Sequence, residues 1–450
     1  MNKFSFGQIK KFDKFDKPRA DSPRIFMIKI WAQIRNNSFI NAATVLGGGA
    51  LLAQLITVAV SPILTRLYTP SDFGLLAILI AITGSLSPLA NGKYDVSIVL
   101  SKSNEERGNL FGISILFVVI FSLILFFGFQ LFQDQIRSIF GAENLGQWIL
   151  FVPLCLFSIG ILSSLNFYSN SLRFYKVMST VKISVAVISA IIAIFFGIFG
   201  EDYGLLIAAF TANTMLVIFL FYLYRKTLRQ RFFLWDKGKF RLMKEYKDFP
   251  IYNASTALLD GLTIALPIFF LSKYFPDSTV GYYSLMVRVA MAPVGFLSFA
   301  ISEVNLKKMS NMINSKQRVL PYFLRLSFAL ILIISPIFLL VGLFSNELFD
   351  LVFGNDWVTA GEYLKILMPA LALRCLVSML SSTFAATRNN KLAAYWKVGA
   401  FLFTFSVFYI FSAQVSVISL LHIMLWTDLF LYSIYYALLW KCVVSVKNTG

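Results

Sequence analysis

Twelve apolar segments, each long enough to cross a lipid bilayer, run through this sequence between residues 40 and 440. A helix needs about 20 predominantly apolar residues to span the hydrocarbon core of a membrane. Inside that core every backbone polar group must be satisfied within the protein, so such segments fold as helices. We therefore predict an all-α integral membrane protein with about 12 transmembrane helices. The predicted spans are 40–66, 73–92, 109–132, 147–167, 179–199, 203–224, 251–272, 281–304, 319–344, 359–386, 393–413 and 415–440.

The composition excludes a soluble fold and offers little for metal chemistry. Of 450 residues, 58% are hydrophobic and only 14% are charged, which is too little polar surface for a soluble domain of this length. Cys155, Cys375 and Cys442 lie in or beside apolar runs without a CxxC spacing, and we expect them to be packing residues. The single histidine, His422, excludes a histidine-based metal site and is interpreted as a packing or interface residue.

The distribution of positive charge predicts the topology. Lys and Arg concentrate in the two tails and in the loops that follow even-numbered helices, which by the positive-inside rule places both termini in the cytoplasm. The exceptions are Arg66, Arg137 and Lys273 in the opposite loops, and Arg288, Lys365 and Arg374 inside predicted spans. Because topology explains the net charge of +18, we expect no nucleic-acid partner.

The most basic internal loop divides the chain into two halves. The predicted parts are a basic cytoplasmic tail (1–39), an N-terminal six-helix bundle (40–224), a basic cytoplasmic linker (225–250), a C-terminal six-helix bundle (251–441) and a cytoplasmic tail (442–450). The first tail lacks the apolar core of a signal peptide. It is either a disordered segment that sets orientation or a helix lying on the anionic inner leaflet.

A weak internal repeat supports this division. NAAT (41–44) opens the first predicted helix and NAST (253–256) opens the seventh. Each helix is followed by a short turn that closes on glycine, RLYTPSDFG (66–74) and KYFPDSTVG (273–281). The repeat, if not a chance similarity, is parallel, because six helices separate equivalent points.

Polar stripes run through the seventh and eighth predicted helices. At helical spacing, one face carries Asn253, Thr256, Asp260, Thr263 and Pro267, and the next helix carries Ser284, Arg288, Gly295, Ser298 and Ser302. A charge in such a helix costs about 2.5–3.5 kcal/mol on insertion scales, so it should face a protein interior or a water-filled cavity. We interpret Arg288 as a contact for an anionic substrate, because a guanidinium keeps its charge and binds phosphate oxygens in a bidentate fork. A structural ion pair with Asp260 or Asp428 is the alternative.

Further candidates lie on other helices. Arg374, Ser378 and Ser381 share one face of the tenth helix, which predicts a second cationic contact in the lumen. Serine-mediated helix packing or a snorkelling arginine would explain the same pattern. Arg66 is either a substrate contact at the exit or a cap for the C-terminus of the first helix.

The acids Asp260 and Asp428 are candidates for cavity lining or ion coupling. They are either counter-ions to the arginines or proton carriers, since desolvation favours a protonated carboxyl. No cofactor or metal is expected beyond possible coupling to a proton or sodium gradient.

Three stretches resemble the polysaccharide-exporting branch of the MATE-like MOP flippase superfamily, the Wzx-type flippases of O-antigen and related glycans. They are NAATVLGGGALLAQLITVAVSPILTRLYTPSDFG (41–74), KYDVSIVLSKSNEERGNLFGIS (93–114) and VFGNDWVTAGEYLKILMPALALR (352–374). This chain has Tyr94-Asp95 where the family often has Tyr-Glu.

The resemblance implies two six-helix bundles in a V shape around a central cationic cavity. It implies flipping of an undecaprenyl-diphosphate-linked oligosaccharide from the cytoplasmic to the outer leaflet of the bacterial inner membrane by alternating access. Implied partners are membrane lipids, a glycan polymerase and the chain-length machinery.

Three other functions compete with this one. A cation-coupled drug or metabolite exporter of the same fold would favour acids over cations in its cavity. A membrane glycan-processing enzyme would need a large outer loop or a cluster of catalytic side chains, and this chain has short outer loops and one histidine. A scaffolding protein would not need aligned charged stripes.

Overall fold

Twelve long α-helices form the framework of the described chain. The computed structural model describes residues 38–228 and 237–446, without the side chains of residues 38–44, 226–228, 237, 292–293, 296–297 and 299–300. The helices are α1 (Ser38–Leu64), α2 (Pro70–Ala90), α3 (Asn104–Leu131), α4 (Val152–Ser171), α5 (Tyr175–Ile198), α6 (Gly204–Leu228), α7 (Ala254–Tyr274), α8 (Asp277–Asn314), α9 (Leu320–Leu343), α10 (Val358–Leu380), α11 (Asn390–Phe411) and α12 (Val417–Val446).

Short helical segments connect the long ones. They are Tyr94–Ser97, Ile98–Leu100, Gln133–Phe140, Glu143–Phe151, Lys237–Glu245, the π-helical turn Phe249–Asn253, Ser345–Phe353, Asn355–Trp357 and Thr383–Ala386. Within the described ranges there is no β-strand. Nearly all of the predicted N-terminal tail and residues 229–236 of the predicted linker lie outside the described residues.

The prediction of an all-α membrane protein is confirmed. In the part of the chain that the structure describes, 11 helices are long and apolar enough to cross a membrane. The remaining long helix, α8, has 38 residues and carries Arg288 within its length. It contains the predicted span 281–304.

Apolar packing forms three clusters in the part of the chain that the structure describes. The largest contains fully buried side chains from both halves of the sequence, among them Ile78, Leu285 and Trp357. A second cluster, around Phe111, belongs to the first half and the linker, and a third, around Phe323, belongs to the second half. The central cluster therefore joins the halves, while the other two stabilise each half separately.

The start of α2 is fixed by local sequence. Pro70 occupies the first turn, where its missing N–H costs no hydrogen bond. Thr69 and Asp72 form a capping box, in which the Asp72 carboxylate accepts a hydrogen bond from the Thr69 N–H at 2.8 Å. The start of α8 has an acid, Asp277, in its first turn, where the helix dipole favours negative charge.

The first turns of α2 and α8 cross in backbone contact, and we call Pro70, Gly74, Asp277 and Gly281 the glycine seam. Gly74 lies against the carbonyl of Asp277, and Gly281 lies against the carbonyl of Pro70. A Cβ atom at either glycine would overlap that backbone. Each glycine lies four residues after the first residue of its helix. The contact is thus reciprocal, and it joins the two turns that the sequence repeat paired.

Side chains reinforce the glycine seam. The buried indole of Trp357 donates from Nε1 to the Thr65 carbonyl at 3.1 Å and packs edge-on against Phe73, with ring centroids 4.9 Å apart. The Asn144 amide donates to the Asp277 carboxylate at 2.8 Å. These contacts connect the first half of the chain with the second half at the same end of the helices.

Candidate functional site

Two cavities lie beyond the glycine seam. The larger, of about 760 Å³, is lined by residues of α2, α7, α8, α10, α11 and α12. The smaller, of about 430 Å³, is lined by α1, α2, α4, α5 and α6 together with one side chain of α8. Ile80 and Arg288 line both cavities. Arg288 lies seven residues, about two helical turns, beyond Gly281.

The larger cavity contains more cations than acids. Its charged lining residues are Arg288, Arg374, Lys397, Asp260 and Asp428. Interior charges of this kind are costly in a membrane protein and require a partner, water or a ligand. How each charge is satisfied decides which of them are available to a substrate.

The Asp260 carboxylate pairs with Lys397. The Lys397 ammonium lies 2.6 Å from Asp260 Oδ2, and both side chains are about 40% exposed. An ion pair between Arg288 and Asp260, which was the alternative considered from the sequence, is therefore wrong for this conformation. Because Lys397 is the cation that reaches Asp260, Arg288 remains available for another anion.

Arg374 rests on an aromatic ring, with an acid nearby. Its guanidinium carbon lies 5.8 Å from the centre of the Tyr432 ring, within the range of a cation–π interaction. The opposite charge of Asp428, one turn before Tyr432 on α12, also acts on this guanidinium. Arg374 is thus partly neutralised within the cavity wall.

Arg288 differs from the other two cations. Its guanidinium carbon lies 5.6 Å from the centre of the Phe73 ring. Among the described residues no carboxylate is within salt-bridge distance of it. A half-buried guanidinium without an acid, at the boundary between two cavities, is suited to binding an anionic ligand.

The smaller cavity contains no acid among its described lining residues. Its second cation, besides Arg288, is Lys182 on α5. Its uncharged polar groups include Gln54, Asn166 and Ser189. Much of the remaining wall is alanine, whose small side chain leaves room for a ligand.

The structure brings most of the predicted site residues together. The predicted residues that line the larger cavity are Asp260, Thr263, Pro267, Ser284, Arg288, Gly295, Arg374, Ser378 and Asp428. They come from four helices, α7, α8, α10 and α12. The two stripes on α7 and α8 therefore face one cavity.

Six predicted residues line neither cavity, and two of them, Ser298 and Ser302, belong to the stripe on α8. Asn253 is exposed in the π-helical turn before α7, and the Thr256 hydroxyl donates to the Tyr252 carbonyl. The Ser381 hydroxyl donates to the Ser378 carbonyl at 2.7 Å. Arg66 is exposed in the turn between α1 and α2. Their roles in transport stay predictions.

Sequence reasoning missed two cavity cations, Lys182 and Lys397. Both were grouped with cytoplasmic loop charges because they lie near the cytoplasmic ends of predicted spans. In the structure they lie inside α5 and α11, seven residues after the first residue of each helix. The signal was present: each lysine has apolar residues on both sides, as in STVKISVAV (179–187) and AYWKVGAFL (394–402).

A comparison with known proteins finds a family whose model matches this chain. Residues 63–362, more than half of the chain, match the family model described as polysaccharide biosynthesis protein. The teichuronic acid biosynthesis protein TuaB of Bacillus subtilis (strain 168) is 25% identical over 164 residues, which are 36% of this chain and 34% of that protein. The chain thus matches about a third of the length of the curated relatives.

Solved structures share the fold. The lipid II flippase MurJ, in an inward closed conformation, superposes with a TM-score of 0.68 at 14% identity, covering 89% of each chain. An inward-facing multidrug resistance MATE family transporter of the MOP superfamily superposes with a TM-score of 0.58 at 14% identity, covering 91% of this chain and 96% of that one. The predicted MATE-like fold is confirmed.

Proposed function

The chain belongs to the polysaccharide biosynthesis protein family of the MOP flippase superfamily, and we propose that it flips a glycan linked to undecaprenyl diphosphate. The substrate is an O-antigen or related repeat unit. It moves from the cytoplasmic to the outer leaflet of the bacterial inner membrane. The membrane lipids surround the protein throughout, and a glycan polymerase and chain-length machinery receive the product.

One observation carries the proposal, the excess of positive charge in the two cavities. Four cations, Arg288, Arg374, Lys397 and Lys182, line them, against the two acids Asp260 and Asp428. A diphosphate with attached sugars cannot enter hydrocarbon unaided, because its charges and hydroxyls would lose water without replacement. A wet, cationic space inside the protein lowers that barrier.

The position of Arg288 supports a pathway through both cavities. Among the described residues, it is the one charged side chain that lines both of them. An anionic headgroup bound to Arg288 would therefore contact the first and second halves of the chain at once. This is the location from which a ligand can bias the relative arrangement of two helical halves.

The glycine seam supports alternating access. If the termini are cytoplasmic, as the Lys and Arg distribution predicts, the seam lies at the end of the helices away from the cytoplasm. The described conformation then has its outer exit closed by α2 and α8. Release of the substrate outside requires the seam to open, and return requires it to close.

Coupling to an ion gradient enters this proposal through the two acids. The contact of Asp260 with Lys397 at 2.6 Å supports a counter-ion role for Asp260 in this conformation. Asp428 faces Arg374 in the same cavity, and it too acts as a counter-ion unless the pair separates during transport. Proton or sodium binding would then accompany separation of either pair.

Deletion of the gene, followed by analysis of lipid-linked oligosaccharides, tests this function. We expect the undecaprenyl-diphosphate glycan to accumulate on the cytoplasmic side of the membrane and surface glycan to fall. Re-expression of the intact chain should restore export, while the Arg288→Ala variant at equal abundance should not. Unchanged lipid-linked pools together with altered drug sensitivity would contradict the proposal and support an exporter of small molecules.

A further inference from the structure

The charges of the larger cavity separate into paired and unpaired groups. Lys397 is paired with Asp260 at 2.6 Å. Arg374 rests on Tyr432 and is influenced by the nearby charge of Asp428, although the two side chains form no salt bridge among the described residues. Among the described residues, Arg288 is the cation of this cavity that has neither an ion pair nor a nearby acid acting on it.

The smaller cavity adds one cation and no described acid. Lys182 has an exposed side chain, and among the described residues no carboxylate pairs with it. Arg288 lines the same cavity. The smaller cavity therefore has two cations, on α5 and α8, without an acidic partner.

The direction of Lys182 is set by its helix. Val181, Val185 and Ser189 line the same cavity, at the spacing expected for one face of α5. Lys176 lies six residues earlier on α5, is also exposed, and lines neither cavity. A lysine that only extends to the membrane surface would resemble Lys176, so the orientation of Lys182 toward a cavity requires a different explanation.

Resting on the function proposed above, we infer that Lys182 and Arg288 together form the site for the diphosphate of the lipid carrier. A diphosphate diester carries a negative charge on each phosphate, which matches the two unpaired cations. Arg288 binds one phosphate through its planar fork, and Lys182 binds the other as a point charge. The amides of Gln54 and Asn166 supply neutral hydrogen-bond donors in the same wall.

The site makes a specific prediction about lipid phosphates. With both cations in place, the protein should bind undecaprenyl diphosphate more tightly than undecaprenyl monophosphate, because the diphosphate offers a separate phosphate to each cation. A hydrogen bond to a charged group is worth enough to change affinity by about tenfold or more. Removing Lys182 should remove this preference without abolishing binding of the monophosphate at Arg288.

Binding of both lipids to the purified full-length protein in lipid nanodiscs tests the inference. We expect Lys182→Ala to weaken undecaprenyl diphosphate binding about tenfold and to leave undecaprenyl monophosphate binding within about twofold. Lys182→Arg should retain the preference for the diphosphate. The matched control, Lys176→Ala, makes the same charge change on the same helix and should bind both lipids as the unaltered protein does.

The possible failures are distinguishable. If Lys182→Ala keeps the preference for the diphosphate, or weakens both lipids equally, the second phosphate is not bound by Lys182 and the inference is overturned. If the unaltered protein binds neither lipid phosphate, the proposed function itself fails. If Lys182→Ala still binds both lipids but no longer prefers the diphosphate, the result supports both the inference and the proposed function.

Discussion

The helices α2 and α8 behave differently at the glycine seam and at the cavities. At the seam, Gly74 and Gly281 let two backbones touch, and no space remains between them. About two turns further along, Ile80 and Arg288 take part in the walls of two cavities. At the seam the two helices are in direct backbone contact, whereas the cavities are lined in part by charged side chains. Substitutions that add volume should therefore affect opening and closing, and substitutions that remove charge should affect binding.

Removing charge at Arg288 should have the largest effect. Arg288→Ala leaves the proposed phosphate contact without its guanidinium, and we expect glycan export to fall about 100-fold. Export is measured as surface glycan in a deletion strain carrying the variant. Lys365→Ala is the control, because Lys365 is an exposed cation in a membrane helix that lines neither cavity. Normal export by the Arg288 variant at normal abundance would contradict the claim that the charge of Arg288 is needed to bind the substrate.

Adding volume at the seam should have the next largest effect. The valine of Gly74→Val would overlap the Asp277 backbone, so the seam could not close as it does here. We expect transport to fall about tenfold while undecaprenyl diphosphate binding stays within about twofold. Gly84→Val on the same helix is the control, since no atom lies within 4 Å of a Cβ built there.

Opening of the seam can be followed directly. A cysteine at Ser284, which lines the larger cavity, reports access from outside through its labelling by a membrane-impermeant maleimide. The native cysteines are all buried. Gly74→Val should raise the labelling rate at position 284. If the rate is unchanged while transport is lost, the seam is not the outer closure.

Breaking the ion pair between Asp260 and Lys397 in the larger cavity should have a smaller effect, on stability. Asp260→Ala leaves Lys397 without its acid, and for a partly exposed pair we expect a loss of about 1 kcal/mol or less in stability. Adding Lys397→Ala should recover most of that loss, because the unpaired charge is then removed. Thermal unfolding of the two single variants and the double variant measures this. Additive losses in the double variant would show that the pair is not coupled.

The smallest expected effect is a pH dependence at Asp277. Burial in the seam raises the pKa of its carboxyl above the ordinary value, and the hydrogen bond from Asn144 opposes this increase in part. The nearby Glu143 also raises this pKa. When the seam opens and exposes Asp277, its pKa should return toward about 4.

Protonation of Asp277 is linked to closure of the seam. The closed seam binds the proton of Asp277 more tightly than the open seam, so ionisation penalises closure at pH above the raised pKa. That penalty falls as the pH drops through the raised pKa and is gone below about 4. Because a maleimide reacts with the thiolate, labelling at position 284 is compared at each pH with that of a solvent-exposed reference cysteine, and the ratio should fall slightly as external pH falls toward that value. Asp277→Asn should abolish the pH dependence of this ratio, and a pH dependence of the ratio that persists in the variant would assign it to another group.

The sequence predicted the helices well because the bilayer leaves few alternatives. A run of about 20 apolar residues has to be a helix, and helical spacing then shows which polar residues share a face. Asp260 and Arg288 were recognised in this way and do face one cavity. The internal repeat paired the two turns that end in Gly74 and Gly281, but their contact was not predicted.

The partners of the charges could not be predicted from spacing alone. Which cation reaches Asp260 depends on how α7 and α11 are rotated against each other, and the structure shows that it is Lys397. Lys182 and Lys397 were overlooked because a lysine near a helix end normally extends to the membrane surface. Their inward direction is a property of tertiary packing, not of sequence position.

Reconstitution into liposomes tests the central claim most directly. Liposomes that contain the purified protein are loaded in one leaflet with a fluorescent oligosaccharide linked to undecaprenyl diphosphate, and transfer to the other leaflet is followed by quenching. The unaltered protein should accelerate transfer well above that of protein-free liposomes, and Arg288→Ala should return it to that background. Equal transfer with and without the protein, or undiminished transfer by the Arg288 variant, would contradict a cationic cavity that carries a lipid diphosphate.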